Sequence, residues 1–156
     1  MKNKGSTISK ITIYRLNVPL IKPYKLSYNT FHSFEPLLIQ ITDDNGKEGW
    51  GEQHISPGSS SETREGGWEF AKIISNLILN KTLLKAKDII LSQSSKSIVA
   101  SSALHTAIDM LEDHDALRKK DPIKLKLLTA FSAEQTENLA SLLEQNRDCL
   151  MQITIL

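Results

Sequence analysis

The chain carries two hydrophobic periods in succession. Through about residue 55, apolar residues recur every second position, the period of a strand with one buried face. From about residue 60 they recur at spacings of three and four, the period of a helix. Residues 8–20 predict a first strand, in which Thr12, Tyr14, Leu16 and Val18 alternate with Ile11, Ile13, Arg15 and Asn17. Pro19 and Pro23 break that pattern, and the aromatic, polar stretch PYKLSYNTFHSFEP, residues 23–36, predicts a long loop or a loosely paired excursion. Residues 36–43 predict a second strand with Leu37, Ile39 and Ile41 on one face. Asn45-Gly46 predicts a type I′ hairpin turn, which needs positive φ at both central residues, and residues 47–55 return as a third strand. Three antiparallel strands in succession make a small meander.

Three helices follow. Ser59 with Glu62 three residues later, or Ser61 itself, predicts the capped start of the first. Trp68, Ala71, Ile74, Leu77 and Ile78 share one face, and Asn80 closes the helix. TLLKAKDIILSQ predicts a second helix. Residues 98–119 predict a third, with Ser101, Leu104, Ile108 and Leu111 in one stripe and Asp121-Pro122 as its stop. Residues 123–131 then predict a strand, 133–145 an amphipathic helix and CLMQITIL another strand, a βα unit feeding a parallel partner. The expected class is α+β, with one domain over residues 1–122 and a second beginning at 123–156.

Composition narrows the function classes. With 156 residues, 40% hydrophobic and 24% charged, the chain can bury a core. A formal net charge of +1 gives no field that steers it toward nucleic acid or an acidic membrane surface. One cysteine, Cys149, allows no internal disulfide and suits a reducing compartment; it reads as a buried, inert thiol. No apolar run approaches a membrane span, and MKNKGSTISK lacks the apolar core of a secretory signal, so a cytoplasmic protein is expected.

Several stretches stand together in a familiar order. VPLIKPYKLS, DDNGKEGWGE, PGSSSET with a following tryptophan, and AIDM in the third helix closely resemble the N-terminal capping domain of the mandelate racemase / muconate lactonizing enzyme branch of the enolase superfamily. PGSSSETREGGW is most similar to the muconate-cycloisomerase and dipeptide-epimerase group. The resemblance implies a cap over a (β/α) barrel that abstracts a proton α to a carboxylate and stabilises the enediolate on Mg²⁺. It implies two substrate-facing loops. The first has Leu26, Tyr28, Asn29, Thr30 and Phe31 at its tip; the second carries His54, Ile55 and Ser56. Gly49 and Gly51 would let their strand kink or bring backbone close to its surroundings, and Gly58 would permit the turn that follows.

The sequence also departs from that pattern. Gln152 and Thr154 stand where the resemblance places the two lysines of a Lys-x-Lys base, and no lysine follows Lys126. Neither replacement is a general base at neutral pH. At most two barrel strands fit before Leu156, so the barrel is expected to be incomplete, with no catalytic residue and no cofactor held by this chain alone. Activity would then need a missing or separate barrel domain acting on a small carboxylate substrate. The alternative is a stand-alone binding module whose orphan strands are covered by self-association.

The remaining candidates have ordinary explanations that outweigh a chemical one. Glu52 reads as a structural carboxylate and His54 as a surface loop residue. His105 with Asp109 reads as a helix pair, too few for a metal. EDHD at residues 112–115 reads as a solvated helix face and LRKKDPIKLK as a solvated connector. Trp50 and Trp68 read as core.

Overall fold

The computed structural model describes residues 5–117. The expected domain boundary after residue 122, the strand–helix–strand unit, Cys149, Gln152 and Thr154 lie outside the described residues. Within them the order is β1 (Ile8–Arg15), β2 (Val18–Lys25), β3 (Thr30–Phe34), β4 (Leu37–Asp43), β5 (Glu48–Gln53), α1 (Arg64–Ile78), α2 (Leu83–Gln93) and α3 (Ile98–Leu111). β1, β4 and β5 form an antiparallel sheet in that order, and β2 and β3 form a separate hairpin. The class is α+β, a small antiparallel sheet with three helices.

The predicted meander exists as β1-β4-β5, but the first strand is shorter than expected, and of the two readings of the stretch after it, loop or loosely paired excursion, the paired one holds. Residues 8–20 split at Leu16 and Asn17, and Val18–Lys25 leaves the sheet to pair with Thr30–Phe34. Prolines explain the departure. A strand holding Pro19 and Pro23 lacks ladder donors, so it suits a two-stranded ribbon in which each strand has one free edge. Its pairing jumps from Pro19 opposite Ser33 to Tyr24 opposite Phe31.

The turn after β4 also differs from the predicted type. Gly46 has φ +79°, but Asn45 is not in the left-handed region. Asp43 N–H donates to the Lys47 carbonyl at 2.9 Å and Gly46 N–H to the Asp43 carbonyl at 3.1 Å. This is a three-residue loop closed by a left-handed glycine. Asp43 selects it, because its carboxylate accepts from the backbone N–H groups of Asn45 and Lys47, both at 2.9 Å.

Each helix starts on a hydroxyl. Thr63 caps α1, rather than Ser59 or Ser61, accepting from Gly66 N–H at 3.0 Å; Thr82 caps α2 and Ser97 caps α3. α1 buries Gly67, Phe70, Ala71, Ile74 and Ile78. That face is rotated from the predicted one, with Gly67 and Phe70 inside: Leu77 is exposed and Trp68 half-buried beneath the Lys72 ammonium, 5.5 Å from the ring centroid. Asn80 closes α1 in the left-handed region with φ +61°. α3 buries all four residues of its predicted stripe but ends at Leu111, earlier than expected. Asp113 turns left-handed there, and Lys47 Nζ donates to the Leu111 carbonyl and pairs with Asp113.

The core lies between the sheet and the helices. Ile39 and Ile41 of β4 meet Ile74, Ile78, Ile90, Leu104 and Ile108, all at 2% exposure or less. β5 contributes space rather than bulk. A Cβ added to Gly49 would stand 1.9 Å from the Ala107 carbonyl oxygen, and one on Gly51 equally close to that of Ala103. Helix backbone thus rests directly on strand backbone, which settles which of the two expected roles these glycines have: close approach. The opposite face of β5 is open. Trp50 is 37% exposed there and stacks on Tyr14 at 6.0 Å, so it is not a core residue.

Candidate functional site: two loops at one end of the sheet

The first predicted loop is the hairpin joining β2 to β3. Its tip is a tight turn in which Leu26 N–H donates to the Asn29 carbonyl at 2.7 Å. Asn29 Oδ1 accepts from Thr30 N–H at 2.8 Å. Leu26 is half-buried and Tyr28, Asn29 and Thr30 are exposed, whereas Phe31 is buried at the root of the turn. Phe31 leans on Phe34, with ring centroids 6.1 Å apart, and Phe34 also takes the edge of Tyr24 at the same separation.

The second predicted loop leaves the end of β5. His54 is half-buried and packs edge-on against Phe34 at 4.8 Å. Its Nδ1 is buried with no hydrogen-bond partner among the described residues. Ile55 is buried and packs where a side chain on Gly67 would otherwise stand. Half-buried Ser56 shapes the turn through its carbonyl, which accepts from Ser59 N–H at 3.1 Å and Ser59 Oγ at 2.7 Å. Gly58 follows with φ +91°, and the Tyr28 ring lies where its Cβ would be. The structure therefore brings the two loops together, through Phe34 on His54 and Tyr28 on Gly58.

Charged groups fix the roots of both loops. Glu35, just after β3, accepts from Arg64 of α1 at 2.7 Å and stands 3.8 Å from Arg15, which binds Glu65 at 2.6 Å. Hydrogen bonding to Glu65 and its charge raise the pKa of the Arg15 guanidinium further above its ordinary value. Arg64 Nε and Gln53 Oε1 are buried without partners nearby in the fold's described part. At the far end of the second loop, Glu62 accepts from Ser97 Oγ at 2.5 Å and from Val99 N–H at 3.3 Å, a carboxylate on the N-terminus of α3. Tyr24, Phe34 and this reach of Glu62 were not among the predicted site residues. Tyr24, Phe31 and Phe34 carried a visible signal as an aromatic series; the partner of Glu62 lies 35 residues away and carried none.

The other sequence candidates are placed elsewhere. Glu52 is exposed on the open face of β5. Asp109 pairs with Lys87 at 2.6 Å, and Lys87 also meets Glu112. Burial depresses the pKa of His105, Asp109 opposes that and Lys87 adds to it. Residues 112–115 follow the end of α3 rather than forming a helix face, and Glu112 and Asp113 pair with Lys87 and Lys47. Among the described residues no group of three or more His, Cys, Asp or Glu side chains could hold a metal ion, and no helix is long and apolar enough to cross a membrane.

A family model matches residues 9–128, described as the mandelate racemase / muconate lactonizing enzyme N-terminal domain. The chain belongs to this family. Its relatives include the L-Ala-D/L-Glu epimerase of Bacillus subtilis (strain 168), 42% identical over 45 residues, which are 29% of this chain and 12% of that protein. The o-succinylbenzoate synthase of the same organism is 40% identical over 58 residues, 36% of this chain and 16% of that one. Among solved structures, the dipeptide epimerase of Cytophaga hutchinsonii, complexed with Mg and the dipeptide D-Ala-L-Val, superposes with a TM-score of 0.73 at 18% identity. That match covers 91% of this chain and 42% of the epimerase. The described fold is thus that of the family's N-terminal domain, and the chain covers less than half the length of each of these proteins.

Proposed function

We propose that this domain is the substrate-capping part of a racemase, epimerase or cycloisomerase that abstracts a proton α to a carboxylate. The observation carrying the reading is the convergence of the hairpin tip and the second loop at one end of the sheet, through Tyr28 on Gly58 and Phe34 on His54. Support comes from the family and from relatives named as epimerases.

In this reading the cap binds, orients and excludes water. Leu26 and Tyr28 offer an apolar wall for a substrate side chain, and Asn29, Thr30 and Ser56 offer neutral hydrogen-bonding groups. A small carboxylate with an apolar portion, a dipeptide among them, suits that lining. Shielding the reacting centre strengthens every charge interaction there. Magnesium, when bound, would supply stabilisation of the enediolate; in this reading metal and base belong to a barrel domain, whether in the same protein or in a separate chain.

The test is an NMR titration of isotope-labelled protein with an L,L-dipeptide bearing an apolar side chain. The expected shifts cluster at Leu26, Tyr28, Asn29, His54 and Ser56, and Tyr28→Ala weakens them. Shifts confined to the open sheet face, or none at millimolar dipeptide, would refute the reading.

A further inference from the structure

We infer that Tyr28 and Gly58 are positioning residues that fasten the hairpin tip and the second loop into a single moving unit. The inference rests on the reading of these loops as substrate-facing and adds that neither closes without the other.

Three observations carry it. First, Gly58 meets two separate demands. Its φ of +91° disfavours a side chain, and a Cβ would lie 2.7 Å from Tyr28 Cδ2, so any side chain there must push the ring off its seat. Second, Tyr28 is 50% exposed at the end of a two-stranded ribbon. Such a ribbon is marginal alone; Phe31, Phe34 and Glu35 hold its root, and the ring's seat on Gly58 is the contact made by its tip. Third, both loops are tied at their roots: the hairpin by Glu35 to Arg64 of α1, the second loop by Glu62 to Ser97 of α3. With the roots fixed to helices, only the tips are left to move, and the tips are in contact. A ligand that orders one tip therefore orders the other, a coupling free energy between two loops.

Two backbone amides report the coupling without any ligand. Leu26 N–H, which donates to the Asn29 carbonyl, reports the hairpin tip; Ser59 N–H, which donates to the Ser56 carbonyl, reports the second loop. Solvent-exchange NMR on the full chain would compare the parent with Tyr28→Ala, Tyr28→Phe and Gly58→Ala. Tyr28→Ala is expected to speed exchange at Ser59 about fivefold or more, and Gly58→Ala to do the same at Leu26. Tyr28→Phe keeps the ring and is expected to leave both rates unchanged. Effects confined to the substituted loop in each case would overturn the inference. If Gly58→Ala does not fold, the two Tyr28 variants still decide it. Because no dipeptide is present, failure here leaves the substrate-facing reading standing, and failure of the dipeptide titration leaves the coupling standing.

Discussion

At the scale of single residues, space and conformation separate the glycines. Gly46 needs its positive φ but has nothing within 4 Å of a Cβ. Gly46→Ala is therefore expected to cost about 1 kcal/mol. Gly51 has no such φ, yet a Cβ would strike the Ala103 carbonyl, and backbone on both sides cannot step aside cheaply. Gly51→Ala is expected to cost about 4 kcal/mol or more and to lower Tm by roughly 15 °C or more, read by thermal melting beside Gly46→Ala. Asp43 gives a pH signature. Burial opposes its charged form, but the backbone N–H groups of Lys47 and Asn45 outweigh that and hold its carboxyl below the ordinary range. A depressed folded pKa contributes stability above the ordinary value, near 3.9, which is lost as pH falls through the folded value. The parent is expected to exceed Asp43→Asn in stability at neutral pH. That gap should close below about pH 4; a constant gap across a urea-denaturation series would show that the charge is not responsible.

At the scale of elements, the second loop is as much a brace as a candidate contact surface. Glu62 accepts from Ser97 Oγ and Val99 N–H while Ser97 itself caps α3, so the two residues act as one unit at the helix start. Glu62→Ala and Ser97→Ala are each expected to cost about 1–2 kcal/mol. The double variant should cost about 1 kcal/mol less than their sum, checked by a chemical-denaturation double-mutant cycle. The sheet strands and the middle of every helix were legible because their apolar periods are unbroken. The hairpin was legible only as one of two readings, a loosely paired excursion. Its prolines read as breakers, and nothing local says which residues a broken strand will pair with. The cap of α1 was displaced for a related reason. Ser59, Ser61 and Thr63 all offer hydroxyls at one end of the same loop, and Thr63 is the one that accepts from Gly66 N–H. Of the candidate site, the loops were legible from resemblance; their contact was not, because it depends on a ring and a glycine that no periodicity links.

At the scale of the molecule, the first described residues close the domain. Ile8 exchanges backbone hydrogen bonds with the turn between α1 and α2, its N–H to the Lys81 carbonyl and its carbonyl from Asn80 N–H, both at 2.9 Å. Its side chain is fully buried. Sheet and helices are thus stitched at one end and share one core, and Ile8→Ala is expected to cost about 3 kcal/mol. In a Trp68→Phe background, Trp50 fluorescence, reporting the sheet, and far-ultraviolet circular dichroism, reporting the helices, should shift together; separate midpoints would mean two cores. The seam of β5 and α3 has a further consequence for how such a domain can change. Gly49 meets Ala107 and Gly51 meets Ala103, so strand and helix run in opposite directions with their notches in step. Two strand residues advance about 6.8 Å and four helix residues about 6 Å, close enough for both notches to engage at once. A one-residue slide of the helix along the strand would take both carbonyls out of the glycine notches at once. Small adjustments within the domain therefore fall more easily to the loops, while the layer beneath them behaves like a ratchet with teeth one helical turn apart.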